Sequence, residues 1–84
     1  MPGTKTSSHR PLPEAIAVDL GAVLRRRREQ ARLTQEEIAA RSEVSVQMVR
    51  RMEAGRSNPT LGTLHAVAVA LDTNMASLLA DVRS

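Results

Sequence analysis

The 84-residue chain contains no cysteine, phenylalanine, tyrosine or tryptophan. Without cysteine, neither disulfide bonds nor thiolate metal sites can stabilise the fold. Any hydrophobic core must therefore consist of Leu, Ile, Val, Met and Ala, which favours thin layers of helix packed on helix. The lack of aromatic rings also argues against a protein that binds single-stranded nucleic acid, because such proteins usually stack bases on aromatic side chains.

Long apolar stretches are absent as well. No run approaches the roughly 18 apolar residues that a membrane-spanning helix needs. The N-terminus also has no apolar segment of the kind found in secretion signals. We therefore expect one small domain that is cytoplasmic and has no membrane partner.

The charged residues are unusual in kind. Twelve Lys and Arg stand against nine Asp and Glu, which gives a net charge of +3, and eleven of the twelve cations are Arg. Arginine is the side chain best suited to phosphate and guanine. Four arginines are consecutive, but on a helix consecutive side chains point in different directions. We therefore interpret Arg25–Arg27 as solvated or ion-paired surface residues.

The N-terminal part of the chain predicts a tail followed by a long helix. Residues 1–12 contain two of the four prolines and several small polar residues, so we expect a flexible tail ahead of a domain over 13–84. The helix ends near Ala31. It begins either at Pro13, which suits a first helical position, or at Asp19, around which Val18 and Val23 are spaced as a hydrophobic staple.

Four further helices are predicted from polar capping residues followed by apolar residues at helical spacing. The first is opened by the capping box of Thr34 and Glu37, and Gly55 ends the second. On the next helix the apolar stripe is predicted to start at Leu61. No strand signal appears, so the expected fold class is all-α with five helices. These later helices are predicted over 35–42, over 46–54 after Ser45, from Thr60 to about Leu71, and after Asn74.

The two short helices over 35–42 and 46–54 are separated only by a tight turn, a spacing typical of a helix-turn-helix. From Leu20 to Leu79 the chain resembles the Cro/phage-repressor family of helix-turn-helix proteins, also called the xenobiotic response element family. The residues that carry the resemblance form the stretch LTQEEIAARSEVSVQMVRRMEAGRSNPTLGTLHAVAVALDTNMASLL. The resemblance implies a five-helix lambda-repressor-like fold that binds double-stranded DNA with helix 46–54 in the major groove.

The resemblance also implies which side chains contact DNA. Arginine can bond guanine, glutamine can bond adenine, and valine can meet a thymine methyl, while a helix N-terminus and a basic turn suit the backbone. An ion pair between Arg28 and Glu53 is expected to join the first and third helices. The base-contacting positions are Val46, Gln47, Arg50 and Arg51; the phosphate-contacting positions are Arg28, Thr34, Gln35, Arg56, Ser57 and Asn58.

Four residues depart from the family pattern. The family often has glycine where Arg32, Glu43 and Asp72 stand, and these loop positions are expected to need a positive φ. Family members commonly have an apolar residue where Arg27 stands. We expect Arg27 either to share the ion pair of Glu53 or to extend its charge past the apolar stripe.

No residue pattern indicates catalysis, a cofactor or a metal. Glu36 and Glu37 are explained as first-turn carboxylates favoured by the helix dipole. His65 is interpreted as a helix-surface residue, because no second ligand stands at metal spacing. We therefore expect a protein that is not an enzyme and has no small-molecule ligand.

The expected function is sequence-specific DNA binding by a transcriptional regulator, with repression as the expected role. One such domain reads few base pairs, so a homodimer is expected. Its predicted interface uses apolar residues that the motif does not need: Ile16, Ala17, Leu79 and Val82. Two alternatives remain open: the antitoxin of a toxin–antitoxin pair, and a protein-interaction module on the same fold.

Overall fold

The computed structural model describes residues 10–83, and within that range the chain is all helical with no strand. The expected all-α fold is confirmed. Residues 1–9, which make up most of the predicted tail, lie outside the described residues. The five helices are α1 (Glu14–Gln30), α2 (Gln35–Ser42), α3 (Val46–Glu53), α4 (Leu61–Ala70) and α5 (Met75–Ala80).

Of the two predicted starts of α1, the structure has the earlier one. Pro13 precedes the helix with φ −53° and ψ 143°, and its carbonyl oxygen accepts hydrogen bonds from the backbone N–H groups of Ile16 and Ala17 at 3.0 Å. The start at Asp19 is therefore wrong. Proline sets its own φ close to the value that this entry to a helix requires.

The later helices begin at the predicted caps. Thr34 Oγ1 accepts from the backbone N–H of Glu37 at 3.0 Å, while a Glu37 carboxylate oxygen accepts from the backbone N–H of Thr34 at 2.8 Å. Ser45, Thr60 and Asn74 each accept one backbone N–H from the residue three positions on. These bonds satisfy amides that the helices leave free, so the boundaries follow from local chemistry.

The core is entirely aliphatic and draws on all five helices. The largest of its fully buried side chains are Val23, Ile38 and Leu78. Leu61 is not part of it, because the side chain is 71% exposed at the first position of α4, and its predicted place on the buried stripe is wrong. The core residues are Leu20, Val23, Leu24, Ile38, Val49, Met52, Leu64, Val67, Ala68, Ala70, Leu71 and Leu78.

Three predicted left-handed turn residues are confirmed. Arg32 has φ 61°, Glu43 has φ 58° and Asp72 has φ 63°. Glu43 directly follows α2, where its left-handed conformation ends the helix and redirects the chain toward Ser45. The change of chain direction between α2 and α3 therefore depends on a strained glutamate at a position where glycine would be unstrained.

Arg27 does not share the ion pair of Glu53. Its guanidinium donates to Asp81 Oδ2 at 3.0 Å and to Thr73 Oγ1 at 3.5 Å. The side chain thus extends past the apolar stripe, and its charged head group contacts residues that flank α5. An arginine tolerates this position because its stem packs while its head group reaches a carboxylate.

Candidate nucleic-acid interface

The third helix has two opposite faces. Val49 and Met52 are buried in the core, whereas Gln47, Arg50 and Arg51 are exposed on the other side. The buried pair holds the helix against the body of the domain, and the exposed face is polar and cationic. Helical periodicity produces this division, because the apolar positions are three residues apart.

Gln47 and Arg51 make no side-chain hydrogen bond or ion pair with any residue in the described part of the chain. Arg51 follows Arg50 in the last turn of α3, and both are exposed. Val46 is half-buried at the start of the helix. The structure therefore brings all four predicted base-contacting residues onto one helix, with two of the polar side chains uncommitted.

Arg50 differs from its neighbour because two residues of α2 hold it. Its NH2 group lies 2.9 Å from Glu36 Oε2, and its Nε–H donates to Gln35 Oε1 at 3.3 Å. From the sequence, Glu36 is expected only to be a first-turn carboxylate of α2. Glu36 lies fourteen positions before Arg50, and no periodic pattern links two positions on different helices.

Arg28 and Glu53 form an almost buried ion pair. Arg28 Nε lies 2.6 Å from Glu53 Oε2 and Arg28 NH2 lies 3.0 Å from Glu53 Oε1, while the side chains are 14% and 6% exposed. Arg28 NH1 donates to the Leu33 carbonyl oxygen at 2.9 Å. The hydrogen bond to Glu53 raises the pKa of Arg28 above its ordinary value. Each guanidinium nitrogen of Arg28 therefore donates at least one hydrogen bond within the domain.

Gln35 braces the third helix from the start of α2. Its Nε2 donates to Glu53 Oε1 at 3.0 Å, and its Oε1 accepts from Arg50. A carboxylate only accepts and a guanidinium only donates, so these two neighbours decide the orientation of the amide. Thr34, one residue earlier, uses its side chain for the capping box.

The turn after α3 carries the remaining predicted phosphate contacts. Arg56 is exposed, whereas Ser57 Oγ donates to Met48 Sδ at 3.4 Å. Asn58 Oδ1 accepts from the backbone N–H of Leu12, and Asn58 Nδ2 donates to the Arg10 carbonyl oxygen, both at 3.3 Å. Asn58 therefore binds the segment ahead of α1. The sequence does not predict these two contacts, because Leu12 and Arg10 lie 46 and 48 positions before Asn58.

The predicted dimer residues are only partly available. Ala17 is 8% exposed and buried within its own chain, and Ile16 and Val82 are half-buried. Of the four predicted residues, only Leu79 is among the exposed large apolar residues of the described chain. The others in that group are Val18, Leu61 and Val69. Ala17 therefore leaves little surface for a partner chain, because it packs within its own domain.

Within residues 10–83 no three His, Cys, Asp or Glu side chains are grouped as metal ligands. His65 is exposed on α4. No helix in the described range is both long enough and apolar enough to cross a membrane.

Comparison with known proteins gives consistent matches. A family model described as a helix-turn-helix domain matches residues 19–81. Over 60 residues the chain is 42% identical to an uncharacterized HTH-type transcriptional regulator of Sinorhizobium fredii, covering 71% of this chain and 78% of the relative.

Two solved structures are similar in fold and sequence. The clp gene regulator ClgR from Corynebacterium glutamicum has a TM-score of 0.76 and 31% identity, over 80% of this chain and 71% of that one. The restriction-modification controller protein C.AhdI from Aeromonas hydrophila has a TM-score of 0.72 and 32% identity, over 74% of this chain and 94% of that one.

Proposed function

The chain belongs to the helix-turn-helix domain family and is a DNA-binding transcriptional regulator, and from this premise we propose that it reads its operator with α3 in the major groove. The observation that carries the proposal is the exposed face of α3, where Gln47, Arg50 and Arg51 stand together. These are residue types that bond adenine and guanine in the major groove. Arg56 lies in the following turn, where it would contact the DNA backbone.

Selection of binding sites from random duplex DNA at a stated salt concentration tests the proposal. We expect one enriched sequence motif, and we expect Arg51→Ala to lose enrichment at one base pair of it. Arg25→Ala is the matched control, since Arg25 is an exposed arginine on α1 that pairs with Glu29 at 3.2 Å. Absence of any enriched sequence would contradict sequence-specific binding.

The proposed role is binding without catalysis, in the cytoplasm where the regulated DNA would lie. We keep repression as the expected outcome of binding, which a reporter gene placed behind the selected operator would measure. The protein-interaction module is disfavoured, because such a module has no need of an uncommitted Gln47 and Arg51 on α3.

We also propose that the regulator binds as a homodimer, with α4 and α5 forming the contact. Leu61, His65 and Val69 recur every four residues on α4, so they share its outer face. Leu61 and Val69 are exposed there, and Leu79 is exposed on α5. Neighbouring exposed apolar side chains mark an interaction surface, and Leu61 and Val69 share one face of α4. A two-fold pair places recognition helices about 34 Å apart over half-sites about 10 bp apart.

Sedimentation with and without the selected duplex tests the dimer. We expect Leu79→Gln to weaken self-association, while Val18→Gln, at a position equally exposed at 48% on α1, leaves it unchanged. DNA should strengthen the dimer, because a ligand that binds the dimer stabilises it. A one-protein complex on a non-palindromic site would contradict the dimer.

A further inference from the structure

The hydrogen bonds from Arg50 to α2 leave one edge of its guanidinium without a partner in the described part of the chain. The Nε–H and the adjacent hydrogen of NH2 form one edge, and these point at Gln35 Oε1 and Glu36 Oε2. The second edge consists of NH1 and the other hydrogen of NH2. Arg50 NH1 makes no hydrogen bond within the described part of the chain. A guanidinium held in this way can still make two parallel bonds to guanine O6 and N7.

The support for Arg50 extends into the protein interior. Glu53 is held by two hydrogen bonds from Arg28 and also accepts from the Gln35 amide. Because Glu53 occupies the Nε2 end of Gln35, the Oε1 end is directed toward Arg50. A nearly buried ion pair therefore orients one of the two acceptors on this edge of Arg50, and Glu36 provides the other.

We propose that Glu36 is a specificity-determining residue that acts by positioning Arg50. The inference rests on the proposed function, since it requires that α3 meets base edges. Glu36 would not touch DNA. Its carboxylate would hold Arg50 in an orientation suited to a base and would keep the flexible guanidinium from turning toward a phosphate.

This arrangement has two opposite electrostatic consequences for binding. A carboxylate beside the recognition helix repels the phosphate backbone, so Glu36 lowers the affinity for every duplex. The same carboxylate fixes the geometry of one base contact, so it raises the discrimination between bases at one position. A surface charge without a positioning role would produce only the first effect.

The test compares Glu36→Gln with wild type on the selected operator and on random duplex. We expect affinity for random duplex to rise up to about fivefold, the effect of roughly one phosphate contact. We expect discrimination at the base pair read by Arg50 to fall about three- to tenfold. Arg50→Ala identifies that base pair, and in the Arg50→Ala background Glu36→Gln should cause no further loss of discrimination there.

Glu43→Gln is the matched control, because Glu43 is an exposed carboxylate in the turn before α3 that pairs with no cation in the described range. It should change specific and random binding by the same factor. If Glu36→Gln behaves in the same way, or if Arg50→Ala weakens all duplexes equally, the inference is overturned while the proposed function stands. If wild type selects no sequence, the proposed function itself fails. Thermal unfolding checks that each variant is folded. We expect little loss of stability, because the side chains of Arg50 and Glu36 are both more than half exposed.

Discussion

Gly21 on α1 lies directly against the backbone of Met52 on α3. A Cβ at position 21 would come within 2.5 Å of the Met52 carbonyl oxygen and 2.6 Å of the Glu53 carbonyl oxygen. Real Cβ atoms essentially never approach backbone oxygens so closely. The absence of a side chain at Gly21 therefore lets α1 support the recognition helix at close range.

Replacement of Gly21 by alanine is expected to destabilise the domain by about 3 kcal/mol or more, because two backbones must separate. Gly62 is the matched control: the nearest atom to a Cβ there is Thr60 Oγ1 at 3.8 Å. Gly62→Ala should stabilise α4 by up to about 1 kcal/mol through helix propensity. Urea denaturation measures both, and similar midpoints would contradict the close approach.

Removal of Glu53 is expected to cost up to about 3–5 kcal/mol, because it leaves the buried Arg28 without its counter-ion. Glu43→Ala, at an exposed carboxylate, is the control and should cost far less. The comparison uses denaturation midpoints, and equal midpoints would refute a stabilising role for the pair.

The ionisation of Arg28 determines how the stability lost in Glu53→Ala depends on pH. Its pKa is raised by the hydrogen bond to Glu53. A raised cation pKa gives stability that is fully present below the unfolded-state value and lost only as pH rises through the folded-state value. The difference between wild type and Glu53→Ala should therefore persist from neutral pH to about pH 10, since arginine loses its proton only well above that range. A loss of the difference at mildly alkaline pH would argue against this origin.

Glycine at the strained turn positions is expected to stabilise the fold. Glu43 and Arg32 have φ values near 60°. This conformation costs residues other than glycine about 1–2 kcal/mol. The greater freedom of glycine in the unfolded chain offsets about 0.4–1 kcal/mol. Glu43→Gly should therefore raise stability by about 1 kcal/mol at most, whereas Ala40→Gly, at an exposed site within α2, should lower it by about 1 kcal/mol. Calorimetric unfolding distinguishes the two signs.

Arg51 and Arg56 are expected to affect DNA binding differently. Arg51→Ala should cost about 1–3 kcal/mol on the selected operator and relax preference at one base pair, whereas Arg56→Ala should weaken all duplexes alike and reduce the salt slope by about one unit. Titrations at several salt concentrations measure both. Equal weakening of operator and random duplex by Arg51→Ala would assign Arg51 to the backbone instead.

Asn58 is expected to protect the segment ahead of α1. Its Oδ1 accepts the Leu12 N–H, and a hydrogen bond contributes about 0.5–1.5 kcal/mol. Asn58→Ala should therefore speed hydrogen exchange of the Leu12 amide up to about tenfold. Ser57→Ala is the control, because the Ser57 side chain contacts Met48 instead. Unchanged exchange in Asn58→Ala would show that this contact does not hold the segment in solution.

Local chemistry in the sequence determined the helices and their order. Thr34, Ser45, Thr60 and Asn74 cap the helices predicted for them, since a capping bond spans only three residues. The left-handed turns were predictable for a similar reason, because glycine in related proteins marks a backbone conformation. The family and its DNA-binding function were likewise predictable, because the motif is carried by a nearly continuous stretch of residues.

The tertiary structure alone decided which distant side chains meet. Arg27 reaches Asp81 across 54 positions, Asn58 binds the Arg10 carbonyl across 48, and Arg50 meets Glu36 between neighbouring helices. Periodicity shows which face of a helix is apolar, but it does not show which neighbour covers that face or how completely. Ala17 is therefore buried and Leu61 exposed, because burial depends on how the five helices pack against one another.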